Sequence, residues 1–167
     1  MRLSIRGLTT ALLFSTTLMV APTFADEVKY HADLTAAQET PATDSAGTGA
    51  LDASYDTSSK MLTWTVTYDG LTGDVVAAHF HGPAAAGAKA PPVVPISAPY
   101  ASPIKGSATL TDQQASDLKG GMWYVNLHTA KYPDGEIRGQ VTEGTGTASM
   151  ASSMSVEPMA SSSSTMK

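Results

Sequence analysis

In Met61–Tyr68, the side chains of Leu62, Trp64 and Val66 fall on one side of an extended chain and those of Thr63, Thr65 and Thr67 on the other. A period of two over such a run specifies a strand with one face in a core and the other in water. Val28–Leu34 alternates in the same way, and further strands are expected at Gly49–Tyr55, Val75–His81, Lys105–Leu110, Trp123–His128 and Glu136–Thr142. Turn chemistry separates them, as in Asp56–Lys60, Asp69–Asp74 and Tyr132–Gly135. Thr111 as N-cap, Leu118 as apolar anchor and Gly120-Gly121 as stop mark a single helix. Many short strands and one short helix predict an all-β fold, an antiparallel Greek-key β-sandwich of about seven strands. Between Ala84 and Pro103, repeated prolines remove backbone donors, so only Val93-Val94 suits an edge strand; a loop of this length is expected to cover or frame the face that carries the histidines of the Val75–His81 strand.

The two ends of the chain read differently. Arg2 and Arg6 precede a short apolar run, Leu8–Val20, and Ala21–Ala25 supplies small residues for cleavage, the pattern of a signal peptide over residues 1–25. Without Arg2 and Arg6, eight basic residues face 15 acidic ones, a net charge of −7 with no basic cluster. That balance argues against nucleic acid and against an anionic membrane surface as partners. No cysteine is present, so a domain over residues 26–142 must rest on its core, with or without a metal, rather than on disulfides. Residues 143–167 are rich in Ser and Met and too poor in large apolar side chains to order themselves. Met150, Met154, Met159 and Met166 could collect copper, but a solvated tail explains them more simply.

All four histidines fall on expected strands, and two of those strands, Val75–His81 and Trp123–His128, hold three of them. Counting by two puts Val76, Ala78 and Phe80 on one face and His79 and His81 on the other; it likewise puts Trp123, Val125 and Leu127 opposite Tyr124, Asn126 and His128. Histidines two apart on a strand have Cβ atoms about 6.5–7 Å apart, close enough for both rings to reach one ion. If the strands are neighbours, His128 completes a three-nitrogen site suited to copper or zinc, and His31, on the polar side of its own strand, offers a fourth ligand. Asn126, Glu136 and Tyr124 are available to orient the rings. Two metal-free readings compete: hydrogen bonds from the histidines to the turns after them, at Gly82-Pro83 and Tyr132–Gly135, or contact with a protein or glycan. No serine sits in a nucleophile elbow and no glycine loop suits phosphate, so no catalytic residues are assigned. Glu136 and Arg138, two apart and off the core face, read as an ion pair or a partner contact.

The segments Leu34–Pro41 (LTAAQETP), Ala78–Ala84 (AHFHGPA), Trp123–Thr129 (WYVNLHT) and Tyr132–Gln140 (YPDGEIRGQ) together resemble the CHRD domain, named from chordin and found singly in exported bacterial proteins. The resemblance spans roughly residues 28–141. It implies an extracellular β-domain more firmly than any activity. A more distant likeness links His79-Phe80-His81 and a late histidine to the copper ligands of Cu/Zn superoxide dismutases, also Greek-key sandwiches. This chain lacks an Asp/His cluster like that family's zinc loop, and it has no cysteine for the disulfide.

The resulting expectation is an exported binding module, periplasmic or secreted, with a copper or zinc site on His79, His81 and His128. Its partner would be an extracytoplasmic protein or glycan, with no membrane association after signal cleavage. A dismutase-like redox enzyme and a metal-free structural or interaction domain are the alternatives.

Overall fold

The computed structural model describes residues 26–144. The signal-peptide assignment and the methionines of the tail lie outside the described residues. The strands are β1 (Glu27–Thr35), β2 (Thr48–Asp56), β3 (Met61–Asp69), β4 (Val75–His81), β5 (Pro92–Ile96), β6 (Ile104–Thr109), β7 (Tyr124–Thr129), β8 (Ile137–Gln140) and the short β9 (Thr142–Glu143). A 3-10 turn, Ala36–Gln38, follows β1, and helix α1 (Asp112–Lys119) precedes β7. The fold is all-β, as the alternation predicts, and the strands pair antiparallel throughout. They form one sheet in the order β5-β4-β7-β8-β1-β2-β3-β6, with β9 added beside β1. Two of the nine strands exceed the expected number: β5, built on Val93-Val94 at the sheet edge, and β9.

The sheet rolls nearly shut around its apolar face. Trp64 on β3 packs edge-on against Phe80 on β4, ring centroids 5.1 Å apart, although four strands lie between the two in hydrogen-bonding order. Trp123 lies against Phe80 on the other side. Tyr30, Leu34, Leu51, Leu62, Ile104, Leu127 and Ile137 complete a core buried almost fully from water. Full burial of such a side chain stabilises by about 1.5–3 kcal/mol before conformational entropy is charged against it. Gly106 sits opposite Trp64, and a Cβ there would lie 2.6 Å from the indole, so the Trp64 ring depends on the missing side chain.

Helix α1 closes one end. The Thr111 hydroxyl accepts from Gln114 N–H while Gln114 Oε1 accepts from Thr111 N–H, a reciprocal cap, and Ala115 and Leu118 face the core. Gln114 Nε2 also donates to the Val93 carbonyl on edge strand β5 at 3.2 Å, covering part of an otherwise open edge.

One residue of the expected pattern is displaced. The β4–β7 register slips between Val75 and Ala77. The extra residue turns Val76 out, at 55% exposed, and puts Val75 in the core at 7%. A bulge of this kind inverts the facing of residues before it and leaves those after it unchanged. Ala78, Phe80, His79 and His81 therefore keep the faces that counting by two assigns them.

Candidate metal centre

Strands β4 and β7 are neighbours, with His79 paired to Asn126, His81 to Tyr124 and Ala77 to His128. That register places His128 diagonally beside His79 on the face opposite the core. One ring nitrogen from each of His79, His81 and His128 lies within 4.8 Å of the others. The closest pair, His79 Nδ1 and His128 Nε2, are 3.3 Å apart. Two nitrogens bound tetrahedrally to one ion at ~2.0–2.1 Å are themselves ~3.3 Å apart, so this pair already has the spacing of a shared ion. Drawing in the third nitrogen needs a movement of no more than ~1.5 Å, within the reach of a side-chain rotation.

Two of the three rings are engaged by backbone through their other nitrogen. His81 Nδ1 lies 3.0 Å from the Ala90 carbonyl, and His128 Nδ1 lies 2.9 Å from the Pro133 carbonyl. A carbonyl only accepts, so both rings carry their proton on Nδ1 and present a lone pair at Nε2. Fixing a ligand histidine through its second nitrogen is the usual support for a metal site. His128 thus makes the bond to the Tyr132–Gly135 turn that the metal-free reading proposes, and keeps Nε2 for a ligand. His81 reaches Ala90 rather than the Gly82-Pro83 turn.

This face is not the solvated one the alternation suggests. His81 and His128 are each 8% exposed, and Tyr124, Asn126 and Arg138 are buried too. Loops 82–91, 36–47 and 130–135 cover them. Ala90 binds His81 and the Tyr124 hydroxyl, Ala88 O accepts from Arg138 Nη2 at 2.8 Å, and Thr40 Oγ1 donates to Gly87 O between two of the loops. Burial pushes all three histidines below the ordinary imidazole range, for His128 against a weaker opposing effect of Asp134. They are neutral near pH 7, the form that ligates.

The supporting residues divide. Tyr124 stacks on His81, centroids 4.8 Å apart and planes within 7°, and carries the Arg138 guanidinium 3.4 Å from its ring centroid. Asn126 donates weakly to Asp134 O at 3.5 Å, and its Oδ1, like His81 Nε2, has no partner. Glu136 touches none of the histidines. It is fully buried and accepts from Ser45 Oγ, Thr72 N, Thr72 Oγ1 and Thr129 Oγ1. Burial opposes its charge, yet these donors outweigh burial and hold its carboxyl below the usual range. The expected Glu136–Arg138 pair is therefore replaced by a carboxylate that ties the loops at Ser45 and Thr72 to the end of β7 at Thr129, and an arginine that faces Tyr124.

His31 stands apart from the trio. Its Nδ1 and Nε2 each lie 3.1 Å from a carboxylate, Asp52 on β2 and Asp33 on β1. With both nitrogens engaged there, it supplies no fourth ligand to the cluster.

Glu39 is the residue that the periodicity gives no means of finding. It follows the 3-10 turn, is buried at the back of the site, and has Oε1 unpartnered. Burial raises its carboxyl to about 6 despite the opposing effects of Arg138 and Asn126. Gly135 makes room for it: φ is +129° there, and a Cβ would strike the Glu39 carboxylate and come within 2.6 Å of Asn126 Nδ2.

Residues 30–141 match the family model of the CHRD domain, well over half of the chain. Neither a curated protein nor a solved structure matches it.

Proposed function

The chain belongs to the CHRD domain family, and from that premise we propose that it is an exported binding domain that holds one copper or zinc ion on His79, His81 and His128. The extracellular setting usual for the family and the signal-like N-terminus support export. Among the described residues no helix is long and apolar enough to cross a membrane. One observation carries the metal assignment: three neutral imidazole nitrogens gather within 4.8 Å while two of the rings are held by carbonyls through their other nitrogen. With His79 half-exposed, the outer side of the trio leaves a coordination position for water or a partner's group.

The test is metal analysis of the purified protein after incubation with copper or zinc and desalting, beside a His79→Ala/His81→Ala variant. The expected result is near-stoichiometric metal in the wild type and none in the variant. Equal, low metal in both would refute the assignment and turn the search to protein or glycan partners.

A further inference from the structure

We propose, resting on that metal assignment, that the site selects monovalent copper over divalent zinc and copper, and that buried Arg138 sets this preference. Imidazole accepts zinc and both oxidation states of copper, so donor type does not decide among them. Charge does.

The three donors are neutral, and the described residues place no carboxylate among them. His81 and His128 are more than nine-tenths buried. Solvation scales with the square of the charge, so taking a dication from water into this position costs roughly four times what a monocation costs. Anionic ligands normally offset that difference, and here none is present.

Arg138 adds to it. It is 2% exposed, takes part in no ion pair among the described residues, and donates to the Ala88 carbonyl. A buried guanidinium with no carboxylate in ion-pair contact is costly in any fold and suggests a use for the charge. The Tyr124 ring spaces it from the ligand: the guanidinium lies 3.4 Å from that ring and His81 4.8 Å from it. The guanidinium is thus within roughly 8 Å of the His81 ring, and of the order of 10 Å from an ion bound to it. A dication feels twice the repulsion of a monocation. One unit charge at ~10 Å with an effective dielectric of 20 changes the ratio of the two affinities by about tenfold.

The neighbouring charges act in both directions. Glu39 is the buried carboxyl nearest in effect to Arg138, and its ionised form partly cancels the guanidinium. Lys89 acts on Glu39, and exposed Asp134 acts on His128 through water, where it is screened. Neutralising Arg138 and neutralising Glu39 should therefore move the preference in opposite directions.

The experiment measures Cu(I), Cu(II) and Zn(II) affinities of the purified protein by competition with chelators of known strength, the Cu(I) series under anaerobic reducing conditions. Variants Arg138→Gln, Arg138→Lys and Glu39→Gln are run alongside, with circular dichroism as the check that each is folded. In the wild type, Cu(I) should resist a large excess of zinc. Arg138→Gln should lower the Cu(I)-to-Zn(II) affinity ratio about tenfold, Arg138→Lys should largely keep it, and Glu39→Gln should raise it. Should Arg138→Gln fail to fold, the opposite shift in Glu39→Gln still tests the argument. Histidine-dependent binding with zinc preferred, or with a ratio indifferent to residues 138 and 39, overturns the selectivity and leaves the metal site standing. Absence of binding by all three ions overturns both.

Discussion

Replacing Glu39 by Gln should stabilise the metal-free protein, and only above acid pH. The carboxyl is raised from an ordinary 4.5 to about 6 because burial disfavours its charge more than Arg138 and Asn126 favour it. A group whose folded value is raised contributes stability that is complete below its unfolded value and lost as pH climbs through the folded one. At pH 8 the ionised side chain therefore costs ~2 kcal/mol relative to its acid form, the free-energy equivalent of the ~1.5-unit difference. Gln has the shape of the neutral acid and carries no charge for burial to oppose. Urea unfolding with chelator present should show Glu39→Gln ahead by ~2 kcal/mol at pH 8 and level with the wild type at pH 4. In melting temperature that is ~8 °C for a domain of this size. A loss of stability at pH 8, or the same difference at both pH values, would refute the reasoning.

Glu136→Ala should be among the most damaging single changes, costing ~3–5 kcal/mol in chemical denaturation, because it strands donors from two loops and the end of β7 around a buried gap; a cost below ~1 kcal/mol would mean water replaces the carboxylate readily. Burial works against the charge of His31, but Asp33 and Asp52 outweigh it and raise the imidazole. Its contribution is full below the unfolded value of ~6.5 and lost as pH rises through the folded one. Asp52→Asn should accordingly lower the melting temperature more at pH 5.5 than at pH 8, by a small amount since both carboxylates are well exposed.

The strands and the face shared by the histidines were legible in the sequence because both follow from local rules. Alternation in Met61–Tyr68 and Trp123–His128 needs only the geometry of an extended chain, and the Thr111 cap needs only four residues. The Val76 bulge was not legible, since the run Val75-Val76-Ala77-Ala78 is apolar throughout and does not show which residue is extra. Burial of the histidine face was only partly legible: the length of the Ala84–Pro103 loop pointed to a cover, but nothing local says how completely the face is hidden. Period-two counting separates core face from opposite face, but whether the opposite face meets water depends on where loops of 82–91 and 36–47 lie, which is settled by long-range contacts such as Arg138 to Ala88 and Thr40 to Gly87. Glu136 shows the same limit: on parity it leaves the core, yet Ser45, Thr72 and Thr129 converge on it from distant segments. His31 obeyed its parity and still missed the cluster, because β1 and β4 are separated by two strands in the sheet.

The structural and metal-binding readings of the histidines do not exclude each other, and one substitution separates them. His128 uses Nδ1 to hold the turn through Pro133 and offers Nε2 to the trio, so His128→Ala removes both functions and leaves a buried carbonyl without its donor. That loss alone is worth ~1–3 kcal/mol, which makes disappearance of metal in the alanine variant open to a trivial explanation. Asn is shorter, and its amide nitrogen falls near the position of the imidazole Nδ1, while nothing takes the place of Nε2. His128→Asn should thus keep the bond to Pro133 and a melting temperature within a few degrees of the wild type, yet bind metal at least tenfold more weakly. His81→Asn should behave in the same way through Ala90. If the asparagine variants fold normally and bind copper or zinc as tightly as the wild type, the Nε2 atoms are not ligands, and the histidines serve the loops alone.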